Sequence, residues 1–520
     1  MARGVPCSPQ DPSRDAGFDA MKRFVLLSCG LLFAYGCSGG DETESPSAES
    51  AAANVSAEGG NSQPATASAN RNDAGTGGAT ASTNANNTSP WGANSTGTGG
   101  ADAAASNTEE EAAFASIVAQ LARSAEEHVR RGYFDAAIQA RTEIVQRVAA
   151  YYGADAWQTR NAQLALDHTK RVIELSPEQK LTYDAINEHD AAGQAQTRVG
   201  NADRAIGEFR LATKMAEQLW GPDSHVVGNL IHKEALVHQA KGSFAAAEQL
   251  FLQAMDIRKR SLGETHPDYS TSINALGVLY HRWGQLEKAE VALKDAIKNV
   301  ELVWGTAHPE YATARNNLGM LYNSMQRFDE AIAELKHVAE LRKGFTEEPN
   351  ALYGHALFNL GSVYYQAQRY DEALPVLEES LVVLEPFIGR KQDISIMLLN
   401  NLAMSYMSKQ RYVESEELLN EVAETIKARY GAQTTEYAQA QHNIGVLYLN
   451  QEQYQKAEQH VVTSLQIREQ IGGREAPGLV TPLKDLATIY EKTNRAAEAA
   501  QITARVEALA ARQNGNTIQR

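Results

Sequence analysis

Asn316-Asn317-Leu318-Gly319-Met320-Leu321-Tyr322 is the stretch from which the rest of the chain can be read, because near copies of it return at one fixed interval. They run Asn274-Ala275-Leu276-Gly277-Val278-Leu279-Tyr280, Asn359-Leu360-Gly361-Ser362-Val363-Tyr364, Asn400-Asn401-Leu402-Ala403-Met404-Ser405-Tyr406, His442-Asn443-Ile444-Gly445-Val446-Leu447-Tyr448 and Lys484-Asp485-Leu486-Ala487-Thr488-Ile489-Tyr490. The small residues at 277, 319, 361, 403, 445 and 487 are 42 apart each time, and the same step backwards reaches Ala235 and Gly193, giving eight units in phase. Leu276, Leu279 and Tyr280 fall on one face of a helix, and the small residue beside them lets a neighbouring helix approach closely.

Other positions keep the same phase. Twelve residues past the small residue stand Ala205, Ala247, Ala289, Ala331, Ala373, Ser415, Ala457 and Ala499, and four further on Phe209, Phe251, Leu293, Leu335, Leu377, Leu419, Val461 and Thr503. This pair, four apart, is the apolar stripe of a second helix. Gly221, Gly263, Gly305, Gly389, Gly431 and Gly473 recur 28 past the small residue, where a helix must stop, with Glu347 the exception. His266-Pro267 and His308-Pro309 follow, with Pro in the first turn of the next helix. Each unit is therefore a helical hairpin with two helices of about 17 residues, roughly 25 Å long.

Leu-Gly-x-x-Tyr followed by Ala-x-x-x-Phe resembles the tetratricopeptide repeat, in its longer, kinesin-light-chain-like variety. Against the usual repeat of about 34 residues each helix gains about one turn. The resemblance implies an all-α fold, a right-handed α-solenoid of stacked antiparallel hairpins over residues 186–512.

Around this array the chain has other parts. With 520 residues, 43% hydrophobic, 7% aromatic and a net charge of −16, it reads as soluble and acidic. That charge argues against nucleic acid and against electrostatic binding to anionic lipid, which need clustered Lys and Arg. Residues 1–20 carry Pro6, Pro9 and Pro12 and no apolar run, so translation is expected to start at Met21. Lys22-Arg23 then precede an apolar run, Phe24 to Tyr35, suited to a signal-peptide core and too short to span a bilayer. Ala34, Gly36 and Cys37 resemble the lipobox of bacterial lipoproteins, although that motif more often has Leu where Ala34 stands. The resemblance implies lipidation of Cys37 and a membrane-anchored protein of the cell envelope. Cleavage after Gly36 into a secreted protein, or an unprocessed cytoplasmic regulator, are the alternatives. Cys7, Cys29 and Cys37 are the only cysteines, so the folded part has no disulfide and no thiolate metal site.

Residues 38–108, rich in Ser, Ala, Gly, Asn and Thr, are too poor in apolar side chains for a core and read as a disordered tether. Folding is expected to begin near Glu109, with one unit at 109–153 in which Ala125, Gly132, Ala137 and Ile144 reproduce the repeat's offsets. Residues 154–185 hold an extra helix over Ala156 to Leu175 and a lead-in from Pro177, expected to cap the array. The unit around Gly361 is irregular: its preceding turn lacks Gly, and Pro375 and Pro386 fall in its second helix, so a bend or a shortened helix is expected there. Arg495 to Arg512 closes the last hairpin, and residues 513–520 read as a frayed tail.

The sequence holds no phosphate-binding loop, dinucleotide fingerprint, His-Glu-x-x-His or nucleophile elbow, so no enzyme, cofactor or metal is expected. His266 and His308 belong to helix starts. What stands out is a polar set two and three residues before each small residue: His232, Asn274, Asn316, Asn317, Asn359, Asn400, Asn401, His442 and Asn443. Asn is a poor helix former, so its recurrence inside helices needs a reason. By resemblance these positions face the concave groove and grip the backbone of an extended peptide; the alternative is that they bond to the adjacent repeat and lock the stack. Val278, Met320, Met404 and Val446, one past the small residue, would add apolar strips to the groove or pack into the core. Lys and Arg are absent from the central ladder, which disfavours clamping of a partner's terminal carboxylate. The expected partner is a protein or peptide, with a structural role in a secretion, pilus or exopolysaccharide apparatus, acting through the convex face or array ends, as the alternative.

Overall fold

The computed structural model describes residues 101–344 and 350–517; the readings of the signal, Cys37, most of the tether and Glu347 lie outside the described residues. Among the described residues there are nineteen α-helices, one short 3-10 turn and no strand. The N-terminal unit comprises α1 (Ala101–Arg130), α2 (Phe134–Tyr152) and α3 (Trp157–Glu174). Eight hairpins follow: α4 (Pro177–Arg198) with α5 (Ala202–Trp220), α6 (His225–Ala240) with α7 (Phe244–Leu262), α8 (Pro267–Trp283) with α9 (Leu286–Trp304) and α10 (Pro309–Ser324) with α11 (Phe328–Lys343). Then come α12 (Ala351–Gln366) with α13 (Tyr370–Ile388), α14 (Asp393–Ser408) with α15 (Tyr412–Tyr430), α16 (Thr435–Asn450) with α17 (Tyr454–Gly472), and α18 (Val480–Lys492) with α19 (Ala496–Thr517). Helix α1 starts at Ala101, inside the stretch read as tether, because Ala101, Ala103, Ala104 and Ala105 favour helix.

The expected stops and starts operate as chemistry. The helix from Pro177 opens with a capping box between Ser176 and Gln179. At α8 and α10 the caps are His266 and His308, whose Nδ1 atoms accept from Asp268 N and Glu310 N at 3.1 and 3.2 Å. Second helices end at glycines with φ between 64° and 97°, as at Gly221, Gly305 and Gly389. The turn inside each hairpin also needs a left-handed residue, which is glycine in the early units (Gly200, Gly242, Gly284) but Gln326, Gln368, Gln410, Glu452 and Asn494 later, with φ of 58–60°.

The small residue is a contact point. A Cβ on Gly277 would lie 2.6 Å from Leu293 Cδ2, and one on Gly361 2.6 Å from Leu377 Cγ. Phe209, Phe251, Leu293, Leu335, Leu377, Leu419 and Val461 are all at most 1% exposed, so the stripe predicted for the second helices is the core of the stack. Two apolar clusters run through it, one from Ala289 to Tyr406 and one from Ile396 to Leu509. The first helices α8, α10, α12 and α14 also touch one another in succession, which places them on the inner side of the curve.

Two local expectations are corrected. The shortened helix is α11, with 16 residues against 19 in most second helices, while α13 keeps 19 with Pro375 and Pro386 inside it. Helix α11 ends at Lys343, with Gly344 as its C-cap in the right-handed region (φ −81°), three residues before the usual capping position. The extra helix α3 does not sit as a lid on the end of the array. Its Trp157 donates Nε1–H to Val303 O at 3.1 Å, Arg160 donates to Thr265 Oγ1 at 2.7 Å, and Arg171 lies over the ring of Trp220 at 5.0 Å. Those partners belong to three successive junctions between hairpins, so α3 runs lengthwise along the edge, covering about 21 Å between Trp157 and Arg171.

Candidate functional site

The ladder residues lie on the first helices, and the geometry follows one rule. The residue three before the small residue in one hairpin meets the residue two before it in the next. Asn317 Nδ2 donates to Asn274 Oδ1 at 3.0 Å, Asn359 Nδ2 to Asn316 Oδ1 at 2.9 Å and Asn443 Nδ2 to Asn400 Oδ1 at 2.7 Å. At the ends the same two positions hold a salt bridge, Lys233 Nζ with Asp190 at 2.8 Å, and a histidine–carboxylate hydrogen bond, His442 Nε2 with Asp485 Oδ2 at 2.6 Å. Where Phe358 interrupts the pattern, Asn401 Nδ2 turns to Ser362 Oγ at 2.9 Å. His232 faces Ala275 instead of a polar residue, and its Nδ1 is buried without a partner. Burial, with Arg258 and Lys233 nearby, holds its pKa well below the usual histidine value.

The amides thus tie neighbouring hairpins, each bond contributing about 1 kcal/mol, more if one partner alone were removed. This uses part of their capacity. In the tied pairs Asn274 and Asn316 are half-buried and act through Oδ1, so their Nδ2 groups take no part in the tie. Asn317, Asn359, Asn400, Asn401, His442 and Asn443 are buried, and Asn359 Oδ1 has no partner. Of the apolar positions, Met320 is 5% exposed and belongs to the core cluster, whereas Val278, Met404 and Val446 are half-buried and reach both core and inner surface.

Sequence reasoning missed three sets of contacts. Tyr280, Tyr322, Tyr406 and Tyr448 donate their hydroxyls to Glu248, Glu290, Glu378 and Glu416 of the preceding second helix, and Arg327 and Arg411 lie 4.2 Å over the rings of Tyr322 and Tyr406. Burial and the carboxylate partner push Tyr280 and Tyr406 up to about 12. Arg258, Arg342 and Arg468 share one repeat position, and each donates to the backbone carbonyl ten residues on, at Asp268, Leu352 and Gly478. The 42-residue spacing of all three sets was available in the sequence; what each residue meets was not. On the outer side, α7, α8 and α9 enclose a cleft of about 820 Å³ lined by Met255, Tyr269, Ile273 and Leu276, with Val291 and Leu302 63% and 71% exposed. Among the described residues no group of three or more His, Cys, Asp or Glu is placed to hold a metal.

Hairpins stacked at constant pitch, with first helices inside and a polar tie at six of the seven joints, define an α-solenoid of the kind that serves as a protein–protein interaction scaffold. The chain belongs to the tetratricopeptide repeat family, whose profile matches residues 226–301, 310–385, 393–461 and 436–512. A comparison with curated proteins finds no match. Among solved structures the chain is similar to the apo form of the quorum sensor NprR from B. thuringiensis, at 12% identity over 74% of this chain and 99% of that one, with a TM-score of 0.51. It is also similar to BtubC from P. vanneervenii, at 19% identity over 44% of this chain and 92% of that one, TM-score 0.38. A putative kinesin light chain from Podosopora anserina matches at 20% identity over 40% of this chain and 98% of that one, TM-score 0.35.

Proposed function

We propose that the chain is a non-enzymatic scaffold that holds an extended segment of a protein or peptide along the inner face of its first helices, and that a lipid on Cys37 tethers it to a membrane of a bacterial cell envelope. The observation that carries the groove reading is the set of half-buried side chains along the inner side, the amides Asn274 and Asn316 with Val278, Met404 and Val446, interrupted at α12 by the buried Phe358 and Ser362. The ties between hairpins hold these groups at fixed spacing, so a segment laid along them meets a preorganised surface. The tether and anchor rest on the sequence of residues 21–108 alone. Nothing in the acidic composition favours nucleic acid.

Photo-crosslinking tests the face used. A benzophenone amino acid at position 278 in cells is expected to yield adducts that mass spectrometry assigns to one partner, and the same probe at position 302 is expected to yield none. A second reading, assembly through the outer face, is favoured by the apolar cleft beside Val291 and Leu302; adducts from 302 alone would establish it and remove the groove. Mass spectrometry of the mature N-terminus tests the anchor: diacylglyceryl-Cys37 supports it, and an intact Met1 or Met21 overturns it.

A further inference from the structure

We infer that the partner segment held in this trough is free of formal charge, an extended stretch built from amide, hydroxyl and small apolar side chains; this deepens the groove reading and rests on it. The inner stripe of a first helix consists of the positions three before and one after the small residue, together with their neighbours one turn away on the same face. The six hairpins from α6 to α17 offer four such positions each. They hold residues such as Asn274, Val278, Thr313 and Gln366, and only Arg282 carries a formal charge at pH 7 with His neutral. Six of the positions (His232, Met320, Phe358, Ser362, Asn400 and His442) are buried; over the other 18, with 22% of the chain charged, about four charges would fall by chance.

Two histidines of the stripe keep to the pattern, since burial lowers His232 well below its usual value and His355 to about 4. The exclusion ends where the central hairpins end: Asp190 and Arg198 occupy the stripe in α4, and exposed Lys484 and Lys492 occupy it in α18. It is therefore a property of one continuous section and not of the composition.

The physical consequence is selectivity by exclusion. An ammonium brought onto this wall gives up water and gains no counter-charge, and a carboxylate finds one only beside Arg282. The net charge of −16 draws cations towards the molecule at long range, but inside the trough they meet no carboxylate. Neutral amides and hydroxyls of a guest can bond to Nδ2 of Asn274 and Asn316, and its methyl groups can cover Val278 and Met404. First helices about 10 Å apart make the section roughly 50 Å long, which an extended strand covers with about 15 residues.

A random 15-residue peptide library panned on the full mature chain tests this, followed by fluorescence anisotropy of the selected peptides. Selected peptides are expected to be depleted of Asp, Glu, Lys and Arg at their centres, and one central Lys or Glu is expected to weaken binding about tenfold. Val278→Glu is expected to restore the Lys-bearing peptide. Charged peptides that bind well, and lose binding in the Val278→Glu, Met404→Glu double variant, would overturn the inference and leave the groove reading standing. Selected peptides indifferent to that double variant, or no selection above background, would overturn both. If deleting residues 74–100 raises peptide affinity about tenfold, the uncharged stretch of the chain itself fills the trough and a partner's segment is excluded as the resident guest.

Discussion

Asn443 reaches back one hairpin and places its Nδ2 2.7 Å from Oδ1 of Asn400, and both side chains are at most 7% exposed. A hydrogen bond made in so dry a place is costly to halve. Asn443→Ala strands an acceptor and is expected to lower stability by roughly 2 kcal/mol, whereas Asn400→Ala with Asn443→Ala together should cost less than the two single changes summed, by about 1 kcal/mol. Urea titration followed by circular dichroism reads both; strict additivity would mean the tie carries no coupling.

The hairpin turns hold a second, opposite prediction. Gln326, Gln368 and Gln410 sit at φ near 60°, where a side chain costs about 1 kcal/mol that glycine avoids. Each Gln→Gly change is expected to raise the melting temperature, and Gly242→Gln to lower it. A fall on introducing glycine would show that the glutamine side chains contribute more than their backbone conformation loses.

The edge helix α3 predicts acid sensitivity. Burial, then the nearby His225, Arg171 and Arg141, lower His168 to about 4, and burial lowers His308, stacked on Trp304, to about 4. A histidine whose folded pKa lies below its unfolded value contributes stability that is complete above about 6.5 and is lost as pH falls from there towards 4. The urea midpoint read by tryptophan fluorescence should therefore decline across that window, and His168→Gln should flatten the decline. Tyr183 and Trp220 also pack against His168. Trp157→Ala, which removes a buried indole and its bond to Val303, is expected to cost about 3 kcal/mol and to speed amide exchange at residues 303–308.

Arg258 donates to Asn229 Oδ1, Ser272 Oγ and Asp268 O from a buried position, and burial lowers its pKa. Val300, Leu384 and Ile426 fill the same place in other hairpins, so the space accepts an aliphatic chain. Arg258→Leu should nonetheless cost about 2–4 kcal/mol, because it leaves those acceptors buried, and Asn229→Ala in the same chain should recover part. Equal stability of Arg258→Leu and the native chain would assign the arginine no structural role.

The repeat was legible because its signal is steric: Gly277 or Ala403 must be small wherever a second helix crosses, and a 42-residue step needs no knowledge of what lies across the gap. The capping glycines were legible for a similar local reason. The left-handed turns were not, since Gln326 looks like any surface residue until its φ is known. The direction of the ladder was also hidden. Asn316 and Asn359 are 43 residues apart, and only the superposition of adjacent hairpins decides that one faces the other. The course of α3 rests on Trp157 meeting Val303 across 146 residues, a separation with no trace in either neighbourhood.

That edge helix divides the molecule mechanically. Hairpins whose junctions meet Arg171, Arg160 and Trp157 are braced like slats nailed to a common batten, and they cannot twist independently. Beyond Trp304 no batten runs along the joints among the described residues, so this half is built as a spring that can uncoil by small rotations shared among its joints. A guest engaging the braced half must fit the trough as it stands, while one engaging the sprung half can draw the trough to its own length.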